Sequence, residues 1–342
     1  MTKDAKSAPT LEDVARLASV STATVSRSLN FPELVSDRTR ERVQTAVDTL
    51  GYSPNFGARV MAAQRTRTIG AIIPTMENAV FAQGIQAFQE ELDGRGYMLL
   101  VASSAYQTDL EEKQIRSLIA RGADALLLIG YQRGPAITDF IKARNVPTLI
   151  TWAFDAAKTD PTIGFDNRHA MRRLTEEVLQ LGHRRIALIA AETDTNDRVA
   201  ERVRGVSEAI QQAGLAANSL TIHRTRYGIE TGAAGFEAVM GAPHKPTVVM
   251  CANDVLAVGA IKQAAKMGLS VPGDVSVTGF DDIELAQVTS PEIATVRIPH
   301  REMGRRAARS LIGLLEDGVP LESENLHTEL CLRGSLGAVP AT

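Results

Sequence analysis

A change of period near Thr68 constrains this chain more than any other feature of its sequence. Before it, apolar residues recur three and four apart, the spacing of one face of an α-helix, and no strand-like alternation occurs. After it, short apolar runs alternate with helical stretches, the signature of parallel sheets covered by helices. A small all-helical head therefore precedes an α/β body. The length of 342 residues has room for such a body, because domains run to roughly 150 residues each.

In the head the spacing predicts three helices. Thr10 and Asp13 form a capping pair before the first, whose inward face is read as Leu11, Val14, Ala15 and Leu17. Ala18 and Ser19 break it. Ser21 caps a second helix that starts at Thr22, turns Val25 and Leu29 inward and is ended by Pro32. Ser36 caps a third that runs to Leu50 and stops at Gly51, with Val43, Ala46, Val47 and Leu50 closing the bundle. Ser53-Pro54-Asn55 then signals a short fourth helix over 55–63. It has few apolar residues to bury, so it is expected to form only on a partner.

In the body, strands are expected at 69–74, 97–102, 125–129 and 147–151, with helices at 81–95, 110–121 and 137–143. A second series has strands at 185–190, 220–224, 247–250 and 275–279 and helices at 169–181, 198–213, 231–240 and 255–267. Two such lobes with a crevice at their strand ends suit a small-ligand receptor.

Charge and composition narrow the function. Formal net charge is -3, yet residues 1–67 hold ten Lys and Arg against seven Asp and Glu, so a basic head precedes an acidic body. No apolar run approaches the ~18–20 residues of a bilayer span, and residues 1–9 are polar with no secretory signal, so a cytoplasmic protein without a membrane partner is expected. Cys251 and Cys331 sit in apolar runs and read as buried thiols, with no disulfide framework. Enzymatic constellations are missing: there is no His-Glu-x-x-His, phosphate-binding Gly-rich loop or nucleophile elbow. Pro74-Thr75-Met76-Glu77-Asn78 stands where a dinucleotide enzyme has its glycine-rich loop. No enzyme, cofactor or metal is expected.

The two helices around Ala18 to Ser21 read as a helix-turn-helix or as an ordinary helical pair with a solvated face. Thr22, Ala23 and Ser26 are small enough for close approach to base edges, and Arg27 suits a bidentate contact with guanine.

These residues resemble the LacI/GalR repressors, a family of bacterial regulators, over nearly the whole chain. In the head the resemblance rests on Thr10-Leu11-Glu12-Asp13-Val14-Ala15, Val20-Ser21, Thr24-Val25-Ser26-Arg27 and Leu50-Gly51-Tyr52-Ser53-Pro54-Asn55. In the body it rests on Gly182-His183-Arg184-Arg185, Asn253-Asp254, Val271-Pro272 and Gly279-Phe280-Asp281-Asp282. It implies a helix-turn-helix head (1–53), a hinge helix and linker (54–67) and a two-lobed, periplasmic-binding-protein-like sensor of parallel doubly wound sheets (68–342). The first lobe would hold about 68–163 with about 295–320, the second about 164–294 with about 321–337. By the same resemblance Ser21 and Ser36 would contact phosphates, Thr22, Ala23 and Arg27 would read the major groove, and Tyr52 and Asn55 would support them. Thr10, Ser26, Asn30, Thr39 and Ala58 would join that DNA-binding surface, and Met61 would stand where the family usually has a leucine wedge between base pairs, its plainer role being an interdomain contact.

The resemblance also implies an effector site. Arg202 matches an arginine that holds a sugar hydroxyl or carboxylate, against the plainer reading of a solvated helix-face arginine. Asp281 matches a hydroxyl-accepting aspartate, against a turn-capping role. Asn253, Tyr227 and Phe81 would join them. Trp152, the one tryptophan, reads either as a ligand contact or as packing between the lobes. The partners implied are a pseudo-palindromic operator, a second copy of the chain and a small effector. Gly164-Phe165-Asp166-Asn167 resembles gluconate-type members and puts sugar acids first, neutral sugars next and purines last. No heptad stretch follows 326–332, so dimers without tetramers are expected.

Overall fold

The computed structural model describes residues 9–53, 65–77 and 79–339. The expected hinge helix, with Asn55, Ala58 and Met61, lies outside the described residues, as does the side chain of Asn30. The chain separates into two compact units, Met1–Thr66 and Arg67–Thr342.

In the head, α1 (Leu11–Ala18) opens with a reciprocal capping box: Thr10 Oγ1 accepts from the Asp13 amide, and the Asp13 carboxylate accepts from the Thr10 amide at 3.0 Å. Ser19 takes the left-handed conformation that ends α1, with φ of 51°. α2 (Thr22–Asn30) is capped by Ser21, whose Oγ accepts from Thr24 N–H at 3.1 Å. α3 (Asp37–Leu50) stops at Gly51, with φ of 62°. Val14, Ala15, Ala18, Val25, Val43 and Ala46 form the core. Half of these are alanines, so hydrophobic burial is modest and polar fastening counts. Arg42 of α3 supplies it by donating to the carbonyls of Ala18 and Ser19, at 2.9 Å for the latter, where α1 ends. Two expectations are corrected. Leu17 is exposed, and Ala18 takes its place on the inward stripe, one turn after Val14 and Ala15. Ser36 precedes α3, but its hydroxyl pairs with that of Thr39 at 3.0 Å instead of capping a backbone amide.

The body contains two parallel sheets. The first lobe uses β1 (Thr68–Ile73), β2 (Met98–Ser103), β3 (Ala125–Ile129), β4 (Thr148–Thr151) and β5 (Thr162–Gly164), with α4 (Ala82–Asp93), α5 (Thr108–Ala120) and α6 (Pro135–Ala143) between the first four. Every residue of β1 and β3 is buried, as expected where helices cover both faces of a sheet. In the second lobe α7 (Asn167–Gln180), β6 (Ile186–Ala190), α8 (Asp197–Gln212), β7 (Leu220–Arg224), α9 (Ile229–Met240), β8 (Val248–Cys251), α10 (Asp254–Lys266) and β9 (Ser276–Thr278) follow in turn. The short α11 (Leu285–Val288) leads to β10 (Thr295–Arg297), α12 (His300–Asp317), β11 (Glu324–Asn325) and β12 (Glu329–Cys331). The strand orders are β11-β5-β4-β3-β1-β2 and β7-β6-β8-β9, with β10 and β12 as an antiparallel pair.

The chain therefore crosses between lobes three times: after β5, before α12 and after β11. α12 returns to pack against α4 of the first lobe. β11, expected within second-lobe segment 321–337, instead pairs with β5 in the first sheet. Ser335 does reach the second lobe, where its carbonyl accepts from Val277 N–H at 2.8 Å. Cys251 is buried, but Cys331, expected to be buried, is only partly so because it ends the short β12 beside Asp282.

Candidate effector cleft and DNA-binding face

Parallel strands point their carboxyl ends the same way, and the loops that leave them build the walls of a crevice. In the body these loops meet between the lobes around a cleft of about 340 Å³ counting its open mouth. Val80 and Phe81 follow β1, Tyr106 follows β2 and Trp152 follows β4 on one wall. Asn196, Arg198, Val199 and Arg202 (around the start of α8), Tyr227, Asn253 and Asp281 form the other. All six residues singled out in the body thus lie on one cavity.

Arg202 is the hub of the second wall. It is 5% exposed, which excludes a solvated helix face. Its Nε donates to Asn167 Oδ1 at 2.9 Å, Nη1 to the Ala252 carbonyl at 2.6 Å and Nη2 to Asp281 Oδ1 at 3.3 Å. The guanidinium lies 3.7 Å from the Phe280 ring centroid. Asn167 in turn donates to the Trp152 carbonyl at 3.0 Å, tying the arginine to the opposite wall. Burial pushes the Asp281 carboxyl up to about 6, with Arg202 pulling the other way. Asn253 caps α10 through Oδ1, which accepts from Leu256 N–H at 2.9 Å.

Aromatic rings frame the space. Phe81 meets Trp152 edge-to-face at 5.3 Å, and Tyr106 and Tyr227 stand 5.8 Å apart. Burial raises both tyrosine hydroxyls above their ordinary pKa, so they remain donors at neutral pH. Tyr106, Trp152 and Asp281 all have positive φ, at 59°, 58° and 110°. Such backbone is costly for residues with a Cβ and gathers where the fold holds a site in shape.

The lobes also touch directly at the mouth. Asp197 Oδ2 accepts from Tyr131 N–H at 2.5 Å, Arg198 Nη1 donates to the Ile129 carbonyl at 3.3 Å, and Gln132 donates to the Asp194 carbonyl. A carboxylate acceptor, guanidinium donors and aromatic faces suit a hydroxylated ring. No group of His, Cys, Asp and Glu able to hold a metal occurs among the described residues.

In the head, Thr22, Ala23 and Arg27 are exposed along α2, with Ser21 at its amino end. Ser36 and Thr10 are exposed, while Ser26, Thr39 and Tyr52 are partly buried. Tyr52 packs against the bundle core. α2 thus offers small residues near its amino end and one arginine in its last turn, side chains of the size and chemistry that major-groove readout uses.

Comparisons with known proteins match both the head and the body of the chain. Residues 10–55 match bacterial regulatory proteins, lacI family, and residues 175–336 match the periplasmic binding protein-like domain. The HTH-type transcriptional repressor CytR of Escherichia coli (strain K12) is 33% identical over 340 residues, 99% of each chain. The chain belongs to the LacI family. The HTH-type transcriptional regulator GntR of the same strain is 31% identical, over 90% of this chain and 92% of that one. The crystal structure of the lac repressor dimer bound to operator and the anti-inducer ONPF superimposes with a TM-score of 0.85 at 26% identity, covering 96% of this chain and 99% of that one.

This LacI-family protein is thus a DNA-binding transcriptional regulator and not an enzyme. No described helix is long and apolar enough to cross a membrane. The cleft includes residues that sequence reasoning did not single out: Tyr106, Asn196 and Arg198. All three follow carboxyl ends of parallel strands, where an open α/β sheet builds its crevice, and that position was the signal available for them. For the head, Arg27→Ala is expected to weaken binding to the specific operator by ~1–3 kcal/mol while leaving nonspecific binding nearly unchanged. Fluorescence anisotropy on operator and scrambled duplexes checks this, and equal losses on both would remove the base-reading role.

Proposed function

We propose that this LacI-family regulator is a cytoplasmic repressor that binds a pseudo-palindromic operator as a homodimer and releases or tightens its grip when a hydroxylated small molecule occupies the cleft. Thr22, Ala23 and Arg27 read bases, and Ser21 and Ser36 hold phosphates. The effector is a sugar or sugar acid of a catabolic operon. It acts by binding one lobe arrangement better than another, since a ligand shifts an equilibrium only by its differential affinity.

The observation that carries this reading is the buried Arg202–Asp281 pair facing aromatic rings across the two lobes. It puts hydroxyl acceptors and ring-stacking faces in one space. Arg198 favours a sugar acid over a neutral sugar. It spends Nη1 on Asp197 and on the Ile129 carbonyl, and its remaining N–H groups suit a carboxylate.

A thermal-shift panel of sugars, sugar acids, sugar phosphates and purines tests the proposal. A ligand at 100 times its Kd adds ~2.7 kcal/mol, a rise of a few degrees for a body of this size. D-Gluconate or a ketogluconate is expected to give the largest rise, and Arg198→Gln to remove that preference while keeping any response to neutral sugars. A rise with purines alone would instead favour stacking against Tyr106 and Tyr227, and the sugar-acid reading would be dropped.

A further inference from the structure

His300, the first residue of α12, is 4% exposed and bonded at both ring nitrogens. Trp152 Nε1 lies 3.2 Å from Nδ1, and the Asp281 carbonyl oxygen lies 3.2 Å from Nε2. An indole N–H only donates and a carbonyl only accepts. Nδ1 must therefore accept and Nε2 must carry the proton, which fixes one tautomer of the neutral ring. Protonating Nδ1 would turn two donors toward each other. Burial pushes the imidazole down to about 4, so the neutral form persists at physiological pH.

The two bonds have different meanings. α12 packs on α4 in the first lobe, where Trp152 also sits, so the indole bond lies within one lobe. Asp281 follows β9 of the second lobe, so the bond to its carbonyl crosses the cleft floor. Both partners line the cavity, and both hold positive φ, at 58° and 110°.

We propose that His300 is the positioning residue of the cleft, fixing the Trp152 ring through Nδ1 and holding the Asp281 backbone across the lobe boundary through Nε2–H. This rests on the cleft being the effector site. Opening the lobes breaks the Asp281 bond and spares the Trp152 bond, so one imidazole couples lobe closure to the placement of the hydroxyl-accepting carboxylate.

The test separates the two ends of the ring in the full-length protein. His300→Asn keeps an acceptor near the place of Nδ1, His300→Gln keeps a donor near the place of Nε2, and His300→Phe keeps the ring shape with neither. Trp152 is the only tryptophan, so its emission reports the first bond and its quenching by acrylamide reports lobe opening, both without ligand. His300→Asn is expected to keep wild-type emission and gain acrylamide quenching. His300→Gln is expected to shift emission to shorter wavelength with quenching unchanged, and His300→Phe to show both changes. Titration with D-gluconate is expected to show about tenfold weaker binding for Asn and Phe and less than about threefold for Gln. Unchanged emission and quenching in the Phe variant would overturn the proposal, as would equal changes in all three variants tracking a common loss of Tm. If wild-type protein ignores D-gluconate, the sugar-acid reading fails while the two ligand-free readouts still decide the role of His300.

Discussion

Asp281→Asn is expected to lower effector affinity about a hundredfold, or ~2.7 kcal/mol, with operator binding by the ligand-free protein unchanged. The amide keeps its shape and an acceptor oxygen for Arg202, but it replaces a carboxylate oxygen with a donor where ligand hydroxyls need an acceptor. Titration calorimetry with the strongest panel ligand, alongside operator binding with and without it, checks this. A retained response would strike Asp281 from the site.

The same substitution carries a pH signature. Burial raises the Asp281 carboxyl from 3.8 to about 6 in the folded protein. Its contribution to stability is fully present below about 4 and is lost as pH rises through about 6, a loss on the order of 3 kcal/mol. His300 runs the other way: burial lowers it from 6.5 to about 4, so its contribution is present above 6.5 and is lost as pH falls through about 4. Between about 4 and 6.5 the two slopes oppose each other, and the wild-type profile is flattened. Asp281→Asn removes one slope, so its urea-unfolding stability is expected to fall more steeply on acidification than that of wild type. Parallel profiles would mean that Asp281 does not titrate in this window.

Gly304→Ala is expected to cost about 3 kcal/mol, the upper end of overpacking effects. A Cβ at Gly304 would collide with the Gly84 carbonyl where α12 crosses α4, and it would also press on the Phe88 amide at 3.1 Å. The obstacle is backbone, so the helices must separate. At roughly 2–4 °C per kcal/mol the Tm falls by on the order of ten degrees. His300 lies one turn upstream on the same helix, so Trp152 emission should change together with Tm. Gly313→Ala is the control: it sits in the same helix with only Val319 Cβ near, at 3.9 Å, and is expected to be neutral or to stabilise by roughly 0.5–1 kcal/mol. Calorimetry on both variants decides. Equal Tm values would mean that the crossing tolerates a side chain.

Local signals were the most legible. α2 runs from Thr22 to Asn30 as read, because a capping serine before it and a proline after it mark both ends within a few residues. Strands 125–129 and 220–224 likewise match observed bounds, since each run stops at a change of residue type. β5 and β11, with three and two residues, left no pattern to read. They are strands because a parallel sheet offered unpaired backbone groups at its edge, a condition set by chain elsewhere. The burial of Arg202 had a usable signal. Val199, Arg202, Val206 and Ala209 recur at helical spacing, and the arginine shares the inward stripe with them.

The sequence by itself determined where helices start and stop, which runs become buried strands, and the family to which the chain belongs. Each of those is written in neighbouring residues or in a motif. The tertiary structure alone decided that Tyr106 and Arg198 face the same cleft as Trp152 and Asp281, and that His300 bonds to both of the latter. Trp152 and His300 are 148 residues apart, and a hydrogen bond between such partners leaves no periodic trace in the chain. It exists because the chain crosses between lobes before α12, which brings one imidazole to the carboxyl ends of strands from both sheets.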